Sequence, residues 1–300
     1  MRYSFFLFPL GVLGTALLTP FTIRCARAVG AVDLPDGERH LHPHPTPRLG
    51  GLALFSAVLL LSAFLSRSVT VSVWLAGGGL VTALGVTDDL YGLSPLMKLS
   101  AMLAICALPA AFGLAPRSLS LGAHALLLSH PFDNLFSLFW ALLLANAFNL
   151  IDGADGLCAS LAAVASLMLF LAGGNPASLL LFGAVLGFLP YNLPLRGGKT
   201  RSFLGDTGAL FLGYSLAVLS LERYTLSFSH LLFFAIPVFD LFHVFIARLA
   251  RGKNPFRADR THLHHRLAQQ GYGWGAILSL CVLYALLFAL TGLLFPMNMR

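Results

Sequence analysis

Charged residues are scarce in this chain. Lys and Arg together number 19 and Asp and Glu number 12, which is 10% of the 300 residues. Soluble domains carry about 25% charged residues. Hydrophobic residues make up 57% of the chain, and its mean hydropathy is +0.82. This balance excludes an ordinary soluble domain and predicts an integral membrane protein.

Cysteine is also scarce, and each of the four cysteines stands alone in or beside an apolar run: Cys25, Cys106, Cys158 and Cys281. No two have metal-ligand spacing, so neither a cysteine metal site nor a disulfide framework is predicted. The net charge of +7 could suggest nucleic acid. Because the basic residues are spread over loops between apolar runs, membrane topology explains them better, and no nucleic-acid partner is expected.

Apolar segments run along the whole chain, and no clear internal repeat relates them. Some are shorter than the roughly 20 residues that a membrane span needs. The segments that can be marked are 4–23, 49–66, 69–87, 97–115, 135–151, 156–173, 176–193, 208–221, 231–248 and 274–295. They predict an all-α integral membrane fold, a bundle of about ten transmembrane helices within one polytopic domain over residues 1–300.

The distribution of Lys and Arg predicts the orientation of the bundle. With the N-terminus outside, the inward loops hold 14 of the 19 basic residues, as the positive-inside rule requires. Both termini are then outside, and segment 4–23 is predicted to be a retained span because a signal peptide would carry its basic end first. The predicted cytoplasmic loops lie near 24–48, 88–96, 152–156, 194–207 and 249–273.

Most acidic residues and histidines also fall on the predicted cytoplasmic side, and Asp240 is the only acid well inside a span. A transporter would need polar groups near the bilayer midplane and usually shows a repeated half. A metal transporter or a non-catalytic membrane protein is therefore a remote alternative. The chemistry is predicted at the cytoplasmic face.

The stretch from Asn146 to Gly156 places four polar side chains at the end of an apolar run: Asn146, Asn149, Asp152 and Asp155. They recur every third residue, so at least the two asparagines share a helix face. Such groups are costly at a membrane boundary unless they bind something, which favours a cation or a phosphate. The alternative is a well-capped helix end followed by a turn.

Two further motifs carry carboxylates. The adjacent Asp88 and Asp89 repel one another, so a cation or a shared proton is expected beside them, and Lys98 could meet a phosphate. Asp206 follows a basic patch, and a helix starting there would offer its N-terminal amides to an anion. The alternatives are an ordinary solvated loop and a simple helix cap.

The stretch from Arg257 to Arg266 contains three histidines, His262, His264 and His265. They could ligate zinc, but flanking arginines such as Arg260 favour phosphate oxygens instead. A basic loop resting on anionic lipid is the alternative. Carboxylates, amides, basic side chains and histidines on one membrane face are the inventory for magnesium-assisted phosphoryl transfer.

In their order and spacing, these motifs resemble the polyprenyl-phosphate N-acetylhexosamine-1-phosphate transferase superfamily, also called glycosyltransferase family 4. The resemblance covers most of the chain, namely Pro47–Gly51, Asp88-Asp89 with Lys98, Asn146–Leu157, Phe203–Gly208, Pro237–Asp240 and His262–His265. It implies transfer of an N-acetylaminosugar 1-phosphate from a UDP-sugar to polyprenyl (undecaprenyl) phosphate with release of UMP. This reaction is a first membrane step of cell-wall or surface glycan synthesis.

The resemblance also implies roles for individual residues. Asp206 would hold Mg²⁺, with Mn²⁺ as an alternative ion, and Asn149 would be a second ligand. Asp88 and Asp89 would be catalytic, acting as much by positioning as by proton removal, with a covalent aspartyl intermediate as a weaker alternative. The substrate-binding positions are Asn146, Asp152, Asp155 and Phe203 toward the nucleotide, and Lys98, Arg260, His262, His264 and His265 toward the phosphates.

The close of the histidine stretch favours one branch of the superfamily. Leu263 separates the first histidine from the pair, which is more like the GlcNAc-1-phosphate branch than the muramoyl-pentapeptide branch. UDP-MurNAc-pentapeptide or another UDP-N-acetylhexosamine stays the alternative substrate. The expected location is the cell (inner or plasma) membrane with the site facing the cytoplasm, and a homodimer is considered as an assembly.

Overall fold

The computed structural model describes residues 4–34, 45–121, 124–195, 199–221, 225–252 and 262–294. Its helices are α1 (Leu7–Ala28), α2 (Gly50–Leu61), α3 (Val69–Tyr91), α4 (Pro95–Cys106), α5 (Leu108–Ala111), α6 (Phe132–Ile151), α7 (Leu157–Gly173), α8 (Pro176–Asn192), α9 (Gly205–Ser220), α10 (Phe228–Phe233), α11 (Ala235–Ala250), α12 (Leu263–Gln269) and α13 (Trp274–Leu294). Its strands are β1 (Val32–Asp33), β2 (Thr46–Pro47), β3 (Ser118–Leu121), β4 (His124–Leu127) and β5 (Thr225–Ser227).

Every apolar segment marked in the sequence contains a helix, so the helical membrane class is confirmed. Among the described residues, α1, α3, α6 and α13 are long and apolar enough to cross a membrane. Shorter apolar helices lie at α2, at α4 with α5, at α7 and at α8. The number of spans, the side of the termini and the orientation stay predictions.

Helix α9 forms the centre of the bundle, because every residue from Thr207 to Ser220 is buried. It packs against α2, α3, α6 and α7. Gly213 lets α6 approach closely: a Cβ atom there would lie 2.5 Å from the carbonyl oxygen of Leu144 and 2.6 Å from Cα of Ala145. Small residues at such crossings are typical of membrane helix pairs, whose backbones pack in van der Waals contact.

The turn between α3 and α4 brings two helix ends to the same place. Gly92 ends α3 in the left-handed conformation, with φ of 66°, which a residue with a side chain rarely adopts. Ser94 then caps α4, its side chain accepting a hydrogen bond from the Met97 amide at 3.3 Å, and Pro95 takes the first helical position. The C-terminal end of α3 therefore faces the N-terminal end of α4.

The short strands were not predicted from the sequence. Strands β1 and β2 pair antiparallel, and β3 lies between antiparallel β4 and parallel β5. The segment after β2 is tied to the segment before α9, since the Phe203 amide donates to the Pro47 carbonyl at 2.8 Å. The Gly50 amide donates in return to the Phe203 carbonyl at 3.1 Å. These bonds fix the start of α9.

We predict that Gly213→Val destabilises the protein, because the new side chain would force α6 away from α9. Overpacking of a tight core costs about 1–3 kcal/mol, and a backbone contact leaves little room to relax. The measurement is the thermal unfolding midpoint in detergent, which should fall clearly. Gly275→Val is the matched control, since a Cβ atom at Gly275 meets nothing within 4 Å. Equal midpoints for the two variants would contradict the packing of α9 described above.

Candidate active site

Four polar side chains from four helices meet at one end of the bundle. Asp88 lies in the last turn of α3, Lys98 in the first turn of α4, Asn149 in the last turn of α6 and Asp206 in the first turn of α9. We call these four residues the Lys98 cluster. They are far apart in the sequence, and the alternating direction of the helices brings them together.

The ammonium group of Lys98 is the positive centre of this cluster. Its Nζ lies 2.8 Å from Oδ2 of Asp88 and 3.3 Å from Oδ1 of Asn149, and it also contacts Oδ2 of Asp206. Asn149 Nδ2 donates to the other oxygen of Asp206 at 2.8 Å. The Leu93 amide donates to Asp88 at 2.6 Å. With both carboxylates ionised, the cluster carries one more negative charge than positive.

Asp89 points elsewhere, although it is adjacent to Asp88 in the chain. Its carboxylate accepts hydrogen bonds from the Asp206 amide at 3.1 Å, the Thr207 amide at 3.0 Å and the Thr207 hydroxyl at 2.7 Å. These amides belong to the first turn of α9, where the helix dipole favours negative charge. The predicted anion at this helix start is therefore the chain's own Asp89.

The Lys98 cluster has a donor set that suits magnesium. Mg²⁺ prefers oxygen ligands, and Asp88, Asn149 and Asp206 already direct carboxylate and amide oxygens at one positive charge. Within the described ranges, no group of three or more His, Cys, Asp and Glu side chains could hold a metal ion. The histidine alternative with zinc therefore gains no support there.

The turn from Asp152 to Gly156 lies beside the cluster. Burial and the neighbouring carboxylates of Asp206, Asp89 and Asp155 raise the pKa of Asp152. Asp155 is held by its neighbours, since its side chain accepts a hydrogen bond from the Thr200 hydroxyl. Its carbonyl also accepts one from Trp274 Nε1 at 3.0 Å. The turn is thereby fixed to the segment before α9 and to the start of α13.

The histidine segment, residues 262–266, packs on α11. His262 Nδ1 lies 2.8 Å from Oδ2 of Asp240, and the rings of His262 and His264 are nearly parallel, with centroids 6.1 Å apart. His265 lies against His264, with centroids 4.2 Å apart. The ring of His264 fills the space beside Gly153, because a Cβ atom there would lie 2.6 Å from His264 Cε1. His264 thus contacts the turn that follows Asn149.

The model of glycosyl transferase family 4 matches residues 71–223, a range that includes the whole Lys98 cluster. The chain belongs to glycosyl transferase family 4. The membership predicted from the sequence motifs is thereby confirmed.

Relatives with assigned names extend this similarity over most of the chain. A probable undecaprenyl-phosphate N-acetylglucosaminyl 1-phosphate transferase of Bacillus subtilis (strain 168) is 32% identical, over 94% of this chain and 81% of the relative. The undecaprenyl-phosphate alpha-N-acetylglucosaminyl 1-phosphate transferase of Escherichia coli (strain K12) is 29% identical over the same shares. The decaprenyl-phosphate N-acetylglucosaminephosphotransferase of Mycolicibacterium smegmatis is 31% identical, over 87% and 75%.

In this family 4 chain, the predicted site residues fall into three groups. The first group is the Lys98 cluster, formed by Asp88, Lys98, Asn149 and Asp206. The second is Asp152 and Asp155 on the turn beside it. The third is the three histidines, of which His264 contacts that turn at Gly153. Asn146 donates to its own helix, at the Leu142 carbonyl, at 2.8 Å. Phe203 is half-buried next to the start of α9. Arg260 lies outside the described residues, so its predicted role is untested.

The sequence did not predict several contacts that shape this site. Gly153 makes room for His264, and Thr200 and Trp274 hold Asp155. For Asp240 the sequence does contain an indication of a special role, because it is the only acid well inside an apolar segment. For Trp274 the sequence contains no such indication, since a Trp at the start of an apolar helix is common at a membrane interface.

The stability of the protein should depend on pH through His264. Burial, together with His265 and His262, lowers the pKa of His264 from 6.5 to about 4. As the pH falls from 6.5 to 4, the unfolded chain binds a proton here that the folded protein does not bind. The free energy of unfolding therefore falls with pH, by on the order of 3 kcal/mol at most.

Thermal midpoints measured between pH 7 and pH 4.5 test this prediction. His264→Gln should show a shallower fall than the unaltered protein, because Gln does not titrate. His124→Gln is the control, since His124 is exposed on β4 and its replacement should leave the slope unchanged. The same slope in all three proteins would contradict the assignment.

Proposed function

We propose that the protein transfers N-acetylglucosamine 1-phosphate from UDP-N-acetylglucosamine to a polyprenyl phosphate such as undecaprenyl phosphate, and releases UMP. The observation that carries this proposal is the Lys98 cluster, an oxygen-rich site of mixed charge at one end of an apolar helical bundle. The names of the relatives from B. subtilis, E. coli and M. smegmatis support it. An acceptor embedded in the membrane explains why the site lies at the ends of apolar helices.

The reaction joins two phosphates. An oxygen of the lipid phosphate attacks the sugar-bearing phosphorus of the UDP-sugar, and the bond to the UMP oxygen breaks. Lys98 can donate hydrogen bonds to phosphate oxygens and offset their charge. Asp88 holds Lys98 at 2.8 Å and so positions this donor. A lipid phosphate is largely ionised near pH 7, since its second pKa is about 6, so positioning matters more than removal of a proton.

Asp206 and Asn149 would hold a magnesium ion at this site. When bound, the ion would neutralise charge on the diphosphate and polarise the phosphorus–oxygen bond that breaks. The rigidity of the donors comes from the chain: Asp89 fixes the first turn of α9, and the Asn149 amide fixes the orientation of the Asp206 carboxylate. Fixed donors cost little reorganisation during the reaction.

The remaining predicted positions divide between the nucleotide and the phosphates. Asp152 and Asp155 lie on the turn after Asn149 and would face the nucleotide, and the half-buried Phe203 would stack its ring on uracil. The histidine segment borders the same turn through Gly153. In this proposal the site faces the cytoplasm, where UDP-sugars are made, from a cell membrane that the chain crosses several times.

The first prediction from this proposal concerns the substrate. Purified protein with undecaprenyl phosphate should release UMP from UDP-N-acetylglucosamine far faster than from UDP-MurNAc-pentapeptide or UDP-N-acetylgalactosamine. EDTA should stop the release and added Mg²⁺ should restore it. Faster release with another UDP-sugar would reassign the donor. Ion flux in proteoliposomes without UMP would instead favour transport.

The second prediction concerns Asp206. Asp206→Asn keeps the shape of the side chain but removes its charge, so UMP release should fall by about 100-fold or more, as for loss of one preorganised electrostatic group. Asp133→Asn makes the same chemical change at the other end of α6 and should keep the rate. Full activity in folded Asp206→Asn would refute the assigned role of this carboxylate.

A further inference from the structure

Asp240 is a buried carboxylate that the proposed transfer does not use. It lies on α11 with 1% of its surface exposed, among the buried residues Ile236, Val238 and Val244. An ionised carboxylate in such surroundings is unfavourable unless charge or hydrogen-bond donors compensate it.

Among the described residues, two hydrogen-bond partners of Asp240 come from the histidine segment. Oδ1 accepts a hydrogen bond from the Leu263 amide at 2.7 Å, and Oδ2 lies 2.8 Å from His262 Nδ1. The Leu263 amide is the first of α12 and has no partner within its own helix. One carboxylate thus anchors the start of α12 and one imidazole nitrogen together.

With an ionised Asp240, this contact favours the proton of His262 on Nδ1. An ionised carboxylate only accepts hydrogen bonds, so Nδ1 of His262 must be the donor. In the neutral ring, Nε2 is then unprotonated, and in the charged ring it is a second donor. In either state, Nε2 is the ring nitrogen left for a ligand.

The anchored ring is connected to the proposed transfer site. His262 and His264 stack with an angle of 10° between their planes, and His264 lies against Gly153, between Asp152 and Asp155. A second contact supports α12, since Arg266 lies 2.6 Å from His243 on α11. The carboxylate of Asp240 therefore helps to fix the stacked rings of His262 and His264. These rings lie beside the turn that is proposed to face the nucleotide.

We propose that Asp240 is a positioning residue for sugar-phosphate transfer, which fixes the ring of His262 with its proton on Nδ1 and presents Nε2 to the UDP-sugar. The proposal rests on the function proposed above. Asp240 does not touch the substrate and acts through His262. Carboxylates that orient metal-bound histidines in this way change affinity or activity by 10- to 100-fold when they are removed.

Asp240→Asn separates this role from mere packing. The Asn side chain has nearly the same shape, but it offers one acceptor and one donor group in place of two acceptors. If its oxygen keeps the Leu263 amide, its NH₂ group faces His262 and favours the proton on Nε2. We expect kcat/KM for the UDP-sugar to fall by about 10- to 100-fold, with KM for polyprenyl phosphate unchanged.

A double-mutant cycle shows whether Asp240 acts through His262. Asp240→Asn should add little to the loss already caused by His262→Gln, because both changes remove the same interaction. Asp133→Asn is the matched control and should keep the rate. Rates are normalised to folded protein. Additive losses, or a normal kcat/KM in folded Asp240→Asn, would overturn the proposal.

A measurement without turnover keeps this result separate from the proposed function. In protein with ¹⁵N-labelled histidine in lipid bilayers, the signal missing from His262→Gln identifies His262. Its Nδ1 should carry the proton in the unaltered chain, whether or not any UDP-sugar reacts. A proton on Nε2 alone would overturn the positioning role, whereas a protonated Nδ1 without UMP release would refute only the transferase.

Discussion

The charge balance around Lys98 is the interaction on which the site depends. Asp88 and Asp206 carry like charges at the ends of two apolar helices, where both side chains are partly buried and a second negative charge is unfavourable. The Lys98 ammonium lies between them and also donates a hydrogen bond to the Asn149 oxygen. The ends of four helices can meet here because the charges and hydrogen-bonding groups of these side chains pair with one another. A phosphate that enters would compete with the carboxylates for Lys98. A cation would compete with Lys98 for the carboxylates.

Helix α9 turns that electrostatic arrangement into a rigid one. It is buried on all sides from Thr207 to Ser220, so its position is set by close packing and cannot shift without disturbing α2, α3, α6 and α7. Its first turn is held by Asp89 and by the backbone pairing of Phe203 with Pro47 and Gly50. Because Asp206 lies in this first turn, its backbone is held in place as well. Preorganised charge is useful in phosphoryl transfer, because donors that are already in place need not reorient as negative charge moves.

The sequence predicted helices where hydropathy is high. It did not predict the short strands, because two to four residues carry no usable periodicity. The polar motifs predicted the site residues. Their spacing, however, does not predict that Lys98 pairs with Asp88 and Asp206, or that the ring of His264 packs against Gly153. These contacts depend on helix packing between distant segments. The sequence marks Asp240 as an acid inside an apolar segment, but only the structure shows that it pairs with His262.

Asp88 and Asp89 illustrate why adjacency in sequence misleads about chemistry. From the sequence, two neighbouring carboxylates suggest a shared cation or proton. On a helix of 3.6 residues per turn, successive side chains diverge by about 100°. Asp88 accordingly faces Lys98, and Asp89 faces the first amides of α9. Each carboxylate is compensated separately, one by an ammonium group and the other by a helix N-terminus. Replacing either one therefore removes a different function: Asp88 positions the basic group that would meet phosphate, whereas Asp89 holds the helix that carries Asp206.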